Sequence, residues 1–122
     1  MEKYWIVGAM WGGYADQSDI FLRRGYWSLG WDAAEQPEQA ARRDQIQAGD
    51  RIAIKRMLGQ GSSEIVISAL GIVKEIDVGD KRVYIQWVIS GLQRIVPSRG
   101  CFASIHGPFN ADDDWVRLAF QL

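Results

Sequence analysis

Residues 49–89 read GDRIAIKRMLGQGSSEIVISALGIVKEIDVGDKRVYIQWVI, and this stretch decides the fold class. From Arg51 to Met57, Ile52 and Ile54 alternate with Arg51 and Lys55, the period of a half-buried strand. Glu64 to Glu75 is an Ile/Val-rich run with Gly71 inside it, and a glycine within a strand marks a bulge or a close approach. After a turn at Asp77 to Asp80, Arg82 to Ile89 sets Val83, Ile85 and Trp87 against Tyr84 and Gln86. Gly49-Asp50 and the Gly59 to Ser63 loop supply the breaks. Three strands in succession with no helix between them favour antiparallel pairing over a βαβ arrangement.

Upstream, Lys3 to Met10 is a compact apolar run that reads as a buried strand, broken by Gly12-Gly13. Asp16 and Ser18 offer N-caps for a short helix carrying Ile20, Phe21 and Leu22, which Gly25 closes. A Gly- and Trp-rich turn, Tyr26 to Trp31, leads into a polar stretch, Asp32 to Gln45, where Pro37 suits the first turn of a helix. Downstream, Pro97 to Asp114 reads mostly as loop, and Asp112-Asp113-Asp114 as a solvated turn. Trp115 to Leu122 then alternates Val116, Leu118 and Phe120 against Arg117 and Gln121, which predicts a last strand. The expectation is one α+β domain over residues 1–122: a small, curled, mostly antiparallel, barrel-like sheet with two or three short helices.

At 122 residues, 48% apolar and 24% charged, the chain suits a single packed core and not a disordered segment. No apolar run is long enough to span a bilayer, MEKYWIV lacks the features of a signal peptide, and the lone Cys101 makes no internal disulfide. Together these point to a cytoplasmic protein. A net charge of −1 argues against gripping a long duplex by phosphate neutralisation alone. Recognition of one or a few nucleotides by stacking and hydrogen bonds remains open. Six tryptophans are the unusual feature of the composition. Trp5 and Trp87 sit in strand-like runs and read as core. Trp11, Trp27, Trp31 and Trp115 lie near Gly, Ser or Asp, where packing is a weaker explanation.

Catalytic groups are sparse. His106 and Cys101 share a Gly-flanked loop, and a packed thiol beside a surface histidine explains them better than a nucleophile–base pair. Two such residues are too few for zinc. The Asp112 to Asp114 triplet lacks the spacing of a calcium loop, and Gly59-Gln60-Gly61 lacks the further glycines of a phosphate loop. The expectation is a non-enzyme with no cofactor and no metal.

The order of segments from Tyr4 to Ser28 is strand, Gly-Gly loop, Asp16-Gln17-Ser18-Asp19, short helix, then Arg24-Gly25-Tyr26-Trp27-Ser28. This order resembles the start of YTH and EVE domains, the branch of the PUA-like superfamily that binds modified bases. Gln47 to Ile54 is similar to the "GDRV" strand opening of EVE-type domains. Leu70-Gly71-Ile72-Val73, Val83 to Val88 and Arg94-Ile95-Val96-Pro97 are similar to later strands of both groups. Through the fragments DQSD, GYW and GDRIAIK, residues Tyr4 to Phe109 look closest to N-terminal domains of McrB-type, modification-dependent restriction proteins.

The resemblance implies that Trp27 is one wall of an aromatic cage with Ser28 its hydrogen-bonding neighbour. It places Gln17, or Asp16 one position earlier, at the base edge. The second wall stays open among Trp31, Trp11, Phe102 and Phe109. A base in duplex DNA would be flipped out, with Arg23, Arg24, Lys55, Arg56 and Arg94 holding flanking phosphates. Cutting or NTP-driven activity would belong to a nuclease or NTPase in another domain or chain, because no nuclease motif or Walker loop is present here. RNA as the ligand, and a protein-interaction role without base binding, are the competing readings. Trp27 as a barrel plug, Gln17 in solvent and Arg23-Arg24 on a solvated helix face are the plain structural alternatives.

Overall fold

The computed structural model describes residues 1–11, 14–59 and 62–121, so the Gly12-Gly13 break and Gln60-Gly61 lie outside the described residues. The first apolar run forms strand β1 (Tyr4–Gly8), followed by a small hairpin of β2 (Met10–Trp11) and β3 (Ala15–Asp16). Helix α1 (Ser18–Arg24) leads to β4 (Tyr26–Trp27), and α2 (Pro37–Arg43) precedes β5 (Arg51–Met57). The long strands β6 (Glu64–Asp77) and β7 (Arg82–Pro97) come next, then β8 (Ile105–Phe109) and α3 (Asp114–Phe120). Six strands form one sheet in the order β4-β7-β6-β5-β1-β8. Only the β1–β5 pair is parallel, which gives the curled, mostly antiparallel α+β architecture expected from the alternating runs.

The curl has a local cause. Along β6 the register with β7 shifts between Ile67 and Ala69, between Leu70 and Gly71, and between Val73 and Glu75. Each irregularity bends the strand and raises its twist. Gly71 sits at one of them because a side chain does not fit: a Cβ there would lie 2.5 Å from Ile85 Cγ2 and 2.8 Å from Trp87 Cε3.

Strand alternation sorts the core into two clusters. Trp5, Val7, Ile52, Ile54, Ile85 and Ile105 pack with Phe21 and Trp27. Ile6, Ala53, Ile65, Ile67 and Cys101 pack with Ala119 of α3. Full burial of each large aliphatic or aromatic side chain contributes roughly 1.5–3 kcal/mol. Gly25 ends α1 in the left-handed conformation (φ 71°, ψ 41°), and its N–H donates to the Phe21 carbonyl. Pro37 occupies the start of α2, as its fixed φ allows. The buried Asp50 ties the chain start to the sheet: its carboxylate accepts from Lys3 N (3.0 Å), Trp5 Nε1 (2.9 Å) and Gln47 N (3.0 Å).

One expectation fails near the C-terminal end. Trp115 to Leu122 does not continue as a strand; Asp114–Phe120 is helical. Asp113 is the reason, since its carboxylate accepts from Trp115 N (2.9 Å) and Val116 N (3.3 Å), an N-cap. Val116 and Ala119 then face inward at helical spacing while Leu118 is exposed. The stretch from Pro97 to Asp114 is loop over most of its length, as expected, but Ile105–Phe109 within it pairs antiparallel with β1.

Candidate ligand site at the end of β1

Strand β1 ends at Gly8, where three parts of the chain converge. The Gly8 carbonyl accepts from Trp27 Nε1 (2.9 Å), and the Gly8 N–H donates to the Ser104 carbonyl (2.8 Å). Across the parallel pair, Gly8 faces Lys55 of β5. Ser104 in turn accepts through its Oγ from Trp31 Nε1 at 3.2 Å. Trp11 lies over the residue before Trp31: a Cβ on Gly30 would meet the Trp11 ring at 2.6 Å. Trp11 also packs edge-on against Phe21, with ring centroids 6.2 Å apart. Three of the four tryptophans that lacked a packing reason are therefore gathered here.

Their exposures differ. Trp27 is 0% exposed, so no face of its ring is open to a base in this structure. It is a core plug and a clamp on Gly8. Trp31 is 38% exposed and offers a ring surface to solvent. Trp11 is half-buried, and its indole Nε1 is buried with no hydrogen-bond partner. Among the described residues it is the one buried side-chain polar atom so placed. Phe102 is exposed, whereas Phe109 packs on Trp115 at 5.5 Å.

Asp16 stands opposite Met10 in the β2–β3 hairpin, and its Oδ1 accepts from Ser18 N (2.9 Å). Gln17 reaches the same neighbourhood through its backbone, whose N–H donates to the Ala9 carbonyl at 2.7 Å. Ser28 follows Trp27 and is half-buried. The basic residues scatter. Arg23 pairs with Asp19 at 3.2 Å on the exposed face of α1, and Arg24 and Arg56 are exposed. Arg94 donates to the Ala119 carbonyl (2.9 Å), where it caps the end of α3.

Lys55 is the surprise. It is 6% exposed, the last of four consecutive buried residues, Ile52 to Lys55. Its Nζ has one acceptor, the Met57 Sδ at 3.6 Å. Burial pulls its pKa down. Nearby, His106 accepts through Nε2 from Ala103 N (2.9 Å), so the neutral ring carries its proton on Nδ1. Burial, then the Lys55 and Arg42 charges, lower the His106 pKa to about 4. Burial also pushes the Cys101 thiol up. Among the described residues no hydrogen bond joins Cys101 to His106, whose Nε2 is taken by Ala103 N, so the two do not form a nucleophile–base pair in this structure. Arg42, Ser104 and His106 enter the site without having been singled out for it. Only the packing of α2 on β8, where Gln39 Oε1 accepts from Ile105 N (2.9 Å), brings them there.

The main concavity, about 550 Å³, lies elsewhere, lined by Tyr4, Leu70, Val88, Val116 and Phe120 with Arg51. None of the six tryptophans lines it. Among the described residues no cluster of His, Cys, Asp and Glu suits a metal ion, and no helix is long and apolar enough to cross a membrane. No family model, curated protein or solved structure matches the chain.

Proposed function

We propose that the chain is a nucleic-acid-binding module that takes a modified base, flipped out of DNA, at the tryptophan cluster around the end of β1. The observation that supports this most is the orphaned Trp11 N–H. A buried donor without an acceptor costs about 1–3 kcal/mol, and folded proteins keep few of them. A ring nitrogen or exocyclic oxygen on a base edge would offset that cost once the Gly30 segment lying against the indole moves aside. Trp31 adds an exposed ring face close by, and base stacking on such a face contributes about 1–3 kcal/mol. In this reading Trp31 and Trp11 take the roles that the family likeness assigned to Trp27, and Trp27 becomes the floor that holds Gly8. The modification itself, and a place in a restriction or defence system with a separate nuclease or NTPase, follow from the likeness to EVE and YTH domains carried by DQSD, GYW and GDRIAIK.

The test is a tryptophan-fluorescence titration with short single- and double-stranded oligonucleotides carrying adenine, N6-methyladenine, cytosine or 5-methylcytosine. The expected result is that one modified base binds at least about tenfold tighter than its parent. Trp11→Phe, which keeps a ring and removes the donor, should weaken that binding about fivefold, the value of one hydrogen bond near 1 kcal/mol. Trp31→Ala should cost roughly five- to a hundredfold. Equal weak binding of every oligonucleotide, unchanged in both variants, would sink the proposal. The same variant dependence with single-stranded RNA but not DNA would make RNA the ligand.

A further inference from the structure

We infer that Lys55, Arg42, His106 and Ser104 form a site for one phosphate group at the C-terminal end of the parallel pair β1–β5. This site is independent of any base at Trp11 and stands without it. Lys55 is more than nine-tenths buried and, among the described residues, is served only by a thioether 3.6 Å away. An ammonium carries three donors, and sulfur is a weak acceptor, so most of its hydrogen-bonding capacity is unspent. Neither Lys55 nor Arg42 takes part in an ion pair among the described residues. A buried cation without a counter-charge is an arrangement that proteins ordinarily neutralise.

The chemistry of the neighbours narrows the ligand. His106 has committed its one acceptor, Nε2, to Ala103 N, which leaves an Nδ1 donor. Ser104 Oγ already accepts from Trp31 and retains its hydroxyl proton. The remaining groups are thus donors, and two of them are cations. A base edge, which presents donors among its acceptors, matches such a set poorly. A phosphate presents only acceptor oxygens and carries the missing negative charge. Gly8 shows how close the parts lie: a Cβ there would stand 3.5 Å from the Lys55 ammonium and 4.0 Å from Ser104 Cα. The Trp31–Ser104 hydrogen bond links this site to the exposed indole, so an occupied phosphate site would be felt at Trp31.

The experiment is an NMR titration of backbone amides and the His106 ring with inorganic phosphate, a nucleoside monophosphate and an abasic oligonucleotide, at matched ionic strength. Saturable shifts at Gly8, Ser104 and His106 are expected, weakened at least tenfold in Lys55→Met and at least threefold in Arg42→Ala. Arg42 is partly exposed, so its variant remains informative if Lys55→Met does not fold. Binding of the monophosphate alone identifies a free nucleotide as the source, and binding of the abasic strand identifies a backbone phosphate. A non-saturating drift, an equal response to acetate, or a response unchanged in either folded variant overturns the site. Trp11→Phe should leave phosphate binding untouched; retained phosphate binding without base preference removes the base reading and keeps this one.

Discussion

Trp11→Phe and Trp27→Phe remove the same atoms from two indoles at the same end of the sheet, and they should differ sharply in cost. Trp27 is wholly buried and its N–H satisfies the Gly8 carbonyl at 2.9 Å. Its replacement leaves a cavity where the second ring was and a buried acceptor without its donor. The cavity costs about 1–3 kcal/mol and the lost partner about 1–3 kcal/mol more, so a total of about 2–6 kcal/mol is expected. Trp11 differs in sign. Its N–H has no acceptor, so the phenylalanine variant removes a penalty of about 1–3 kcal/mol while losing a similar amount of packing. The net change should lie within about 1 kcal/mol of zero, and the two variants should be at least about 1 kcal/mol apart. Urea denaturation at constant m-value measures both. Equal costs within about 0.5 kcal/mol would mean that the Trp11 donor is satisfied in solution, and the main support for a base at that position would go with it.

Two further perturbations probe the same frame. Asp50→Ala should destabilise by about 3–5 kcal/mol in urea, because one buried and two part-buried N–H groups lose their shared acceptor; a loss under about 1 kcal/mol would show the carboxylate to be replaceable by water. His106 is neutral in the folded chain down to about pH 4 against an ordinary value of 6.5, so the unfolded chain binds the extra proton between these limits. Its contribution to stability is complete above about pH 6.5 and declines as pH falls toward 4, by roughly 1–2 kcal/mol once partial exposure is allowed for. The slope of stability against pH between 6.5 and 5 should flatten in His106→Gln; parallel slopes would refute the assignment.

What sequence determined here is local. The alternation in Arg51–Met57 and Arg82–Ile89, the helix stop at Gly25 and the start at Pro37 each depend on neighbours within a few residues or on steric rules of the backbone, whereas the demand for glycine at position 71 is set by Ile85 and Trp87 across the sheet. They sufficed for a curled, mostly antiparallel α+β fold. Helix α3 escaped because Val116, Leu118 and Phe120 satisfy a period of two as readily as part of a helical face. The Asp113 carboxylate, bonded to Trp115 and Val116 and held by Arg99 at 2.8 Å, decided between them. The candidate site was legible only as residue types. Tertiary structure decided that Trp27 is core and Trp31 is surface, because Gly8 and Ser104 meet only when β8 closes on β1. It also decided that Lys55 is buried. Alternation assigns one face of a strand to solvent, but packing from the Cys101 segment and α3 covers the second face of this sheet. Burial of the Lys55 ammonium on that face, and of the Trp11 indole N–H against the cluster on the other, comes from contacts between residues far apart in the chain, which no local period encodes.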